Sequence, residues 1–142
     1  MEIDEIDNWV NNVVSLWKEK NLQISKGASL ADIERVEKIV GITFPTAFKI
    51  LYQKVNGFAD WGWNENMFSI WTLEKIVEEY NYHEDFVAFC DFLINSHWIG
   101  FAKREPGIYK WYSLIDSPNI ERIADKFEDA IEMINNNSDI IY

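Results

Sequence analysis

Three sets of residues in this 142-residue chain have types and spacing that could do chemistry. Cys90, Asp91 and His97 hold the parts of a thiol nucleophile, which needs an imidazole to take its proton and a carboxylate to orient that ring. His83 and His97 could bind a metal with carboxylate help, but nothing fixes the spacing. Glu78-Glu79 and Glu84-Asp85 are paired acids, the kind that glycoside hydrolysis sets across a cleft. Each set has a plainer account. Cys90 lies in an apolar run, where a free cysteine is ordinarily a small buried hydrophobe, and the local signatures of nucleophilic cysteines are missing. Adjacent carboxylates on an acidic chain ordinarily form a solvated face, and both histidines read as solvated or hydrogen-bonded. The chain has no glycine-rich phosphate loop, no H-E-x-x-H and no CxxC. The expectation is a chain without catalytic residues, metal or cofactor.

One local anomaly survives. Residues 58–92 hold Phe58, Trp61, Trp63, Phe68, Trp71, Tyr80, Tyr82, Phe86, Phe89 and Phe92 within the most acidic stretch of the chain. Most of these follow strand patterns and belong to a core. Trp61 and Trp63 flank a glycine in a loop without period, and two readings stand for them. Either the loop folds back over the sheet, or the tryptophans are desolvated anchors at an interface, where aromatic residues carry much of the binding energy. In the second reading Asp60, Glu65, Glu78, Glu79, Glu84 and Asp85 form the charged surround of a partner-binding face.

The charge limits what that partner is. Thirteen basic against twenty-four acidic residues leave a net −11. Residues 60–91 carry eight acids against Lys75 alone, a net −7. Phosphate backbones and anionic membranes both demand Lys and Arg, so neither is the expected partner. A basic protein is, because acidic charge steers its approach. Acidic charge also serves plain solubility of an aromatic-rich domain, and charge alone does not choose between the two. One cysteine allows no internal disulfide. The first residues lack the basic start and apolar run of a signal peptide, and no apolar stretch approaches the roughly 20 residues that cross a bilayer. A cytoplasmic chain is expected.

The elements that must position these residues fit one domain, residues 1–142, with no repeat and no linker. At this length roughly two-thirds of the unfolded surface is buried on folding, and the 48% apolar content supplies the core. Ile3, Ile6, Trp9, Val10, Val13, Val14 and Trp17 recur at helical spacing. Ser29 with Asp32 resembles a capping box for a second helix, which Gly41 stops. Pro45 opens a third, with Phe48, Leu51, Tyr52 and Val55 as its stripe and Asn56-Gly57 as its end. Residues 67–71 read as a strand, and Thr72 caps a short helix to about Tyr80. Strands are expected over 86–94, 98–103 and 108–114, the last two joined by Glu105-Pro106-Gly107. Asp125, with Glu128 three residues on, caps a final helix bearing Phe127, Ile131 and Ile134. The order predicts an α+β domain of N-terminal helices, a central antiparallel sheet and a C-terminal helix.

The middle of the chain resembles the SUKH superfamily, named partly for yeast regulators of cell-wall glucan synthesis. The likeness rests on Ile42-Thr43-Phe44-Pro45, Phe48, Leu51-Tyr52, Asn56-Gly57 and Ile70-Trp71-Thr72-Leu73. Ile123-Ala124-Asp125-Lys126-Phe127 with Ile131 looks like the family's closing helix, so the likeness spans about residues 27–135. The resemblance implies a non-enzymatic protein. Many bacterial SUKH proteins are immunity proteins that neutralise a polymorphic toxin, commonly a nuclease, by binding it. Others are regulators or scaffolds, as the yeast relatives are. The matched motifs are structural, so Pro45, Asn56 and Gly57 receive no binding role.

Overall fold

The apolar positions at three- and four-residue steps in the first seventeen residues form the helix α1 (Ile3–Glu19), which buries Ile6, Val10, Val13 and Trp17. Ile3 stays 64% exposed, one turn too early to reach the core. The computed structural model describes residues 2–59, 62–81, 85–94, 96–112 and 119–142, with the backbone alone for Asn119. Asp60, Trp61, His83, Glu84 and the end of the strand expected to reach Leu114 lie outside the described residues.

A short strand β1 (Ile24–Lys26) leads into α2 (Leu30–Val40). The Ser29 hydroxyl accepts from the Asp32 amide at 3.1 Å, and Gly41 closes the helix in the left-handed region at φ 76°. The Asp32 carboxylate, however, accepts from Arg35 at 2.6 Å rather than reaching back to complete a box. In α3 (Thr46–Lys54) Pro45 occupies the N-cap at φ −64°. Phe44, Phe48 and Tyr52 stack in succession at centroid spacings of 4.0 Å.

The end of α3 differs from expectation. The chain passes directly into a strand, β2 (Val55–Phe58), which pairs antiparallel with β1, Ile24 facing Phe58. Asn56-Gly57 therefore lies inside β2 and does not stop the helix. Glycine is needed there on two counts: its φ is positive at 67°, and a Cβ would stand 2.3 Å from the Trp71 carbonyl oxygen. That carbonyl accepts the buried Tyr52 hydroxyl at 2.6 Å. The Asn56 side chain accepts from the Leu73 amide at 2.8 Å, satisfying a free N–H at the start of the next helix.

Five further strands, β3 (Phe68–Ile70), β4 (Phe86–Phe92), β5 (His97–Ala102), β6 (Ile108–Tyr112) and β7 (Asn119–Ala124), form an antiparallel sheet in that order. The helix α4 (Leu73–Glu79), capped by Thr72, interrupts the run between β3 and β4. The strand β7 takes Ile123 and Ala124, so the closing helix α5 starts later, at Phe127, and ends at Asn135. Its N-cap is Lys126, without a side-chain bond. Asp125 does not cap it, because its carboxylate accepts from Arg122 at 2.8 Å.

Residues three apart on a strand face opposite sides, and the sheet uses both. One side sends Phe89 and Phe101 against the helices, where Phe48 and Phe127 meet them at 5.1 to 6.2 Å. The other carries Trp98 directly opposite Trp111, edge to face at 5.0 Å, with Trp71 continuing the ladder at 5.3 Å. The N-terminal helix is tied across the fold to α5 by two indole donors: Trp9 to Glu132 at 2.7 Å and Trp17 to Asn135 at 2.8 Å. Among the described residues no helix is long and apolar enough to cross a membrane.

Candidate functional site

Asn64 organises the loop that carries Trp63. Its buried side-chain oxygen accepts from the Phe68 and Asn66 amides at 3.0 and 2.9 Å. Its own N–H donates to the Phe68 carbonyl at 2.8 Å, and its carbonyl accepts from Met67 at 3.0 Å. One asparagine thus does the work of a neighbouring strand on the outer side of β3, whose backbone groups would otherwise stand unpaired. On the other flank of Trp63, the Gly62 carbonyl accepts the Ser69 hydroxyl at 2.7 Å and the Gly62 amide donates to Ala59 at 2.7 Å. With both neighbours pinned, Trp63 is held half-buried at the edge of a groove of about 350 Å³.

Helix α4 supplies the opposite chemistry to this groove. The Lys75 ammonium lies 5.0 Å over the Trp71 ring and 4.0 Å from Asp91. The buried Asp91 carboxylate also accepts the Trp71 indole N–H at 2.5 Å. Lys75 is thereby held by a cation–π contact and a charge at once. Glu78, one turn further along α4, lines the same groove and is exposed.

The third contributor is the turn between β4 and β5. Leu93 and Ile94 are 46% and 57% exposed, and both have left-handed backbones, φ 48° and 52°. Such positions in hairpin turns favour Asn and Gly, and a branched side chain there is an outlier. Hydrogen bonds hold it: Leu93 N–H to Met67 O at 2.9 Å and Ser96 N–H to Phe92 O at 2.9 Å. Met67 itself has φ 70°. Three strained non-glycine residues therefore meet at one end of the sheet, and Ile94 lines the groove beside Trp63. Strain of this kind collects at functional sites, each instance costing about 1–3 kcal/mol.

The expected partner-binding residues divide in three. Trp63 and Glu78 come together on the groove. Glu65 pairs with Lys20 at 2.5 Å, a bond that holds its carboxyl below the usual range, while Asp85 pairs with Arg104 at 2.8 Å, and Glu79 is half-buried on α4 away from the groove lining. Asp60, Trp61 and Glu84 lie outside the described residues. The Leu93–Ile94 turn has no forewarning in the sequence, where both residues read as the end of an apolar strand.

The thiol set is not assembled. Cys90 is fully buried, and burial, reinforced by the Asp91 charge, pushes its pKa well up. Asp91 is turned to Trp71, and the buried His97 donates from Nε2 to the Ile141 carbonyl at 2.8 Å. Burial pushes the His97 imidazole below its usual pKa.

The groove offers an indole, an exposed aliphatic residue and a carboxylate on a pinned frame. A family model described as SMI1 / KNR4 family (SUKH-1) matches residues 27–133, a span that includes the whole groove and leaves out α1. No curated protein matches the chain.

Proposed function

Since the chain belongs to the SMI1 / KNR4 family (SUKH-1), we propose that it is a non-enzymatic, cytoplasmic protein-binding domain, an immunity protein that neutralises a cognate polymorphic toxin by occupying it. The observation that carries this reading is the meeting of Trp63 and Ile94 on one groove, with the apolar side chains of Leu93 and Ile94 left in water and the turn backbone left strained. A fold gains nothing from such a turn, whereas an interface gains desolvated anchors. The net charge of −11 suits a basic toxin domain such as a nuclease, whose substrate groove must attract polyanions. An acidic binder can fill or block that groove, and steering speeds its capture. The buried thiol and the committed imidazole fit a binding role rather than nucleophilic catalysis.

The test is protection of growth. The chain is co-expressed with a candidate basic toxin domain taken from a neighbouring gene, as wild type and as Leu93→Asn/Ile94→Gly. Wild type is expected to restore growth and the double variant to lose protection while remaining folded. If the wild-type chain gives no protection and forms no complex with that domain, the immunity reading falls.

A further inference from the structure

Most charges around the groove already have partners. Lys75 is held by Asp91 and the Trp71 ring, Glu74 accepts from Asn56 at 3.2 Å, and Glu65 pairs with Lys20. Glu78 lines the groove, is exposed, and its carboxylate has no hydrogen bond or ion pair among the described residues. The same groove is lined by the half-buried indole of Trp63 and by Ile94. Its volume, about 350 Å³, admits one long side chain rather than a folded element.

A carboxylate beside an indole and an aliphatic wall selects a cation with an apolar stem. Between the two candidates, arginine fits better. Its guanidinium is planar, stacks on aromatic faces, is weakly hydrated and meets a carboxylate through two parallel N–H donors. A lysine ammonium is strongly hydrated and loses more on entering a half-apolar groove. We propose that the groove receives an arginine side chain from a basic partner protein, its methylenes against Trp63 and Ile94 and its guanidinium on Glu78. This rests on the reading that this end of the sheet binds protein, and it names the partner chemistry that the face takes.

The probe is N-acetyl-arginine amide, added to the isotope-labelled full chain while the indole N–H signals of its seven tryptophans are followed by NMR. The Trp63 signal is expected to shift saturably, with a dissociation constant on the order of 1 mM, the range open to a ligand of about fifteen heavy atoms. Glu78→Gln should weaken the probe at least about fivefold, whereas Glu79→Gln should not. N-acetyl-lysine amide and N-acetyl-norleucine amide should bind more weakly than the arginine probe. No saturable Trp63 shift, equal binding of the norleucine probe, or indifference to Glu78→Gln each overturns the proposal. The growth assay separates the two readings. Probe binding without protection supports the arginine groove and removes immunity, and protection without probe binding removes the arginine groove alone.

Discussion

Replacing Gly57 by alanine should destabilise the fold by about 3 kcal/mol, through damage that converges on one carbonyl. Alanine at φ 67° costs about 1–2 kcal/mol in backbone strain. Its Cβ would also stand 2.3 and 2.4 Å from the oxygen and carbon of the Trp71 carbonyl and 2.7 Å from the Thr72 amide. All three are backbone atoms, so a strand must shift by about 1 Å to restore ordinary contact. The Tyr52 hydroxyl, fully buried and bonded to that carbonyl, then loses its acceptor, at a further cost of about 1–3 kcal/mol. For a chain of this length the sum lowers the melting temperature by roughly 10 °C. Urea unfolding followed by tryptophan fluorescence measures it, with Tyr52→Phe and the double variant completing a cycle. The two changes break the same bond, so the double variant should fall short of the additive loss by about 1 kcal/mol. A loss below about 1 kcal/mol for Gly57→Ala, or strict additivity, would refute this account of the Asn-Gly pair.

Three further outcomes are expected. Leu93→Asn/Ile94→Gly should hold or raise stability by about 1 kcal/mol, because the left-handed strain is relieved, while partner binding drops at least tenfold; a clear loss of stability in urea would count against the strain. The depressed pKa of buried His97 means that the unfolded chain takes a proton that the folded one resists. Stability should therefore be full above about pH 6.5 and fall below it until the folded pKa is passed, by up to about 1.4 kcal/mol per pH unit, and His97→Gln should flatten the slope between pH 6.5 and 5.5. Cys90 should react with a thiol reagent only at the rate of unfolding, so rapid labelling of native protein at pH 8 would contradict its raised pKa and burial.

Much of the fold was legible because its signals are local. The helical spacing from Ile6 to Trp17, the Ser29 cap, the Gly41 stop and the Thr72 cap each depend on residues within one or two turns, and each is where expected. The turn at Glu105-Pro106-Gly107 likewise joins β5 to β6, with Gly107 at φ 109°. What escaped depends on distant partners. The strands β1 and β2 exist because they pair with each other across nearly thirty residues, and β2 contains an Asn-Gly that reads as a turn. The charged pair Glu121-Arg122 hid β7, and Arg122 drew Asp125 away from the cap. At the site, aromatic excess and charge pointed to Trp63 and Glu78. A positive φ at Leu93 and Ile94 leaves no mark in composition, because it is imposed by the pairing of β4 with β5 and by Met67.

Asn64 has a consequence for how this face can change over evolutionary time. By answering the outward amide and carbonyl of Phe68 it seals the border of the sheet there, so a visiting chain cannot extend the ladder at that residue. Recognition beside it then falls to side chains projecting from a frame that does not depend on them. Trp63, Glu78, Leu93 and Ile94 can be exchanged for other types without disturbing the bonds that hold Asn64, Gly62 and Thr72 in place. On the proposed binding role, the same scaffold can be turned against a different partner by a few substitutions, and a partner that escapes one set of contacts can be met again by the next.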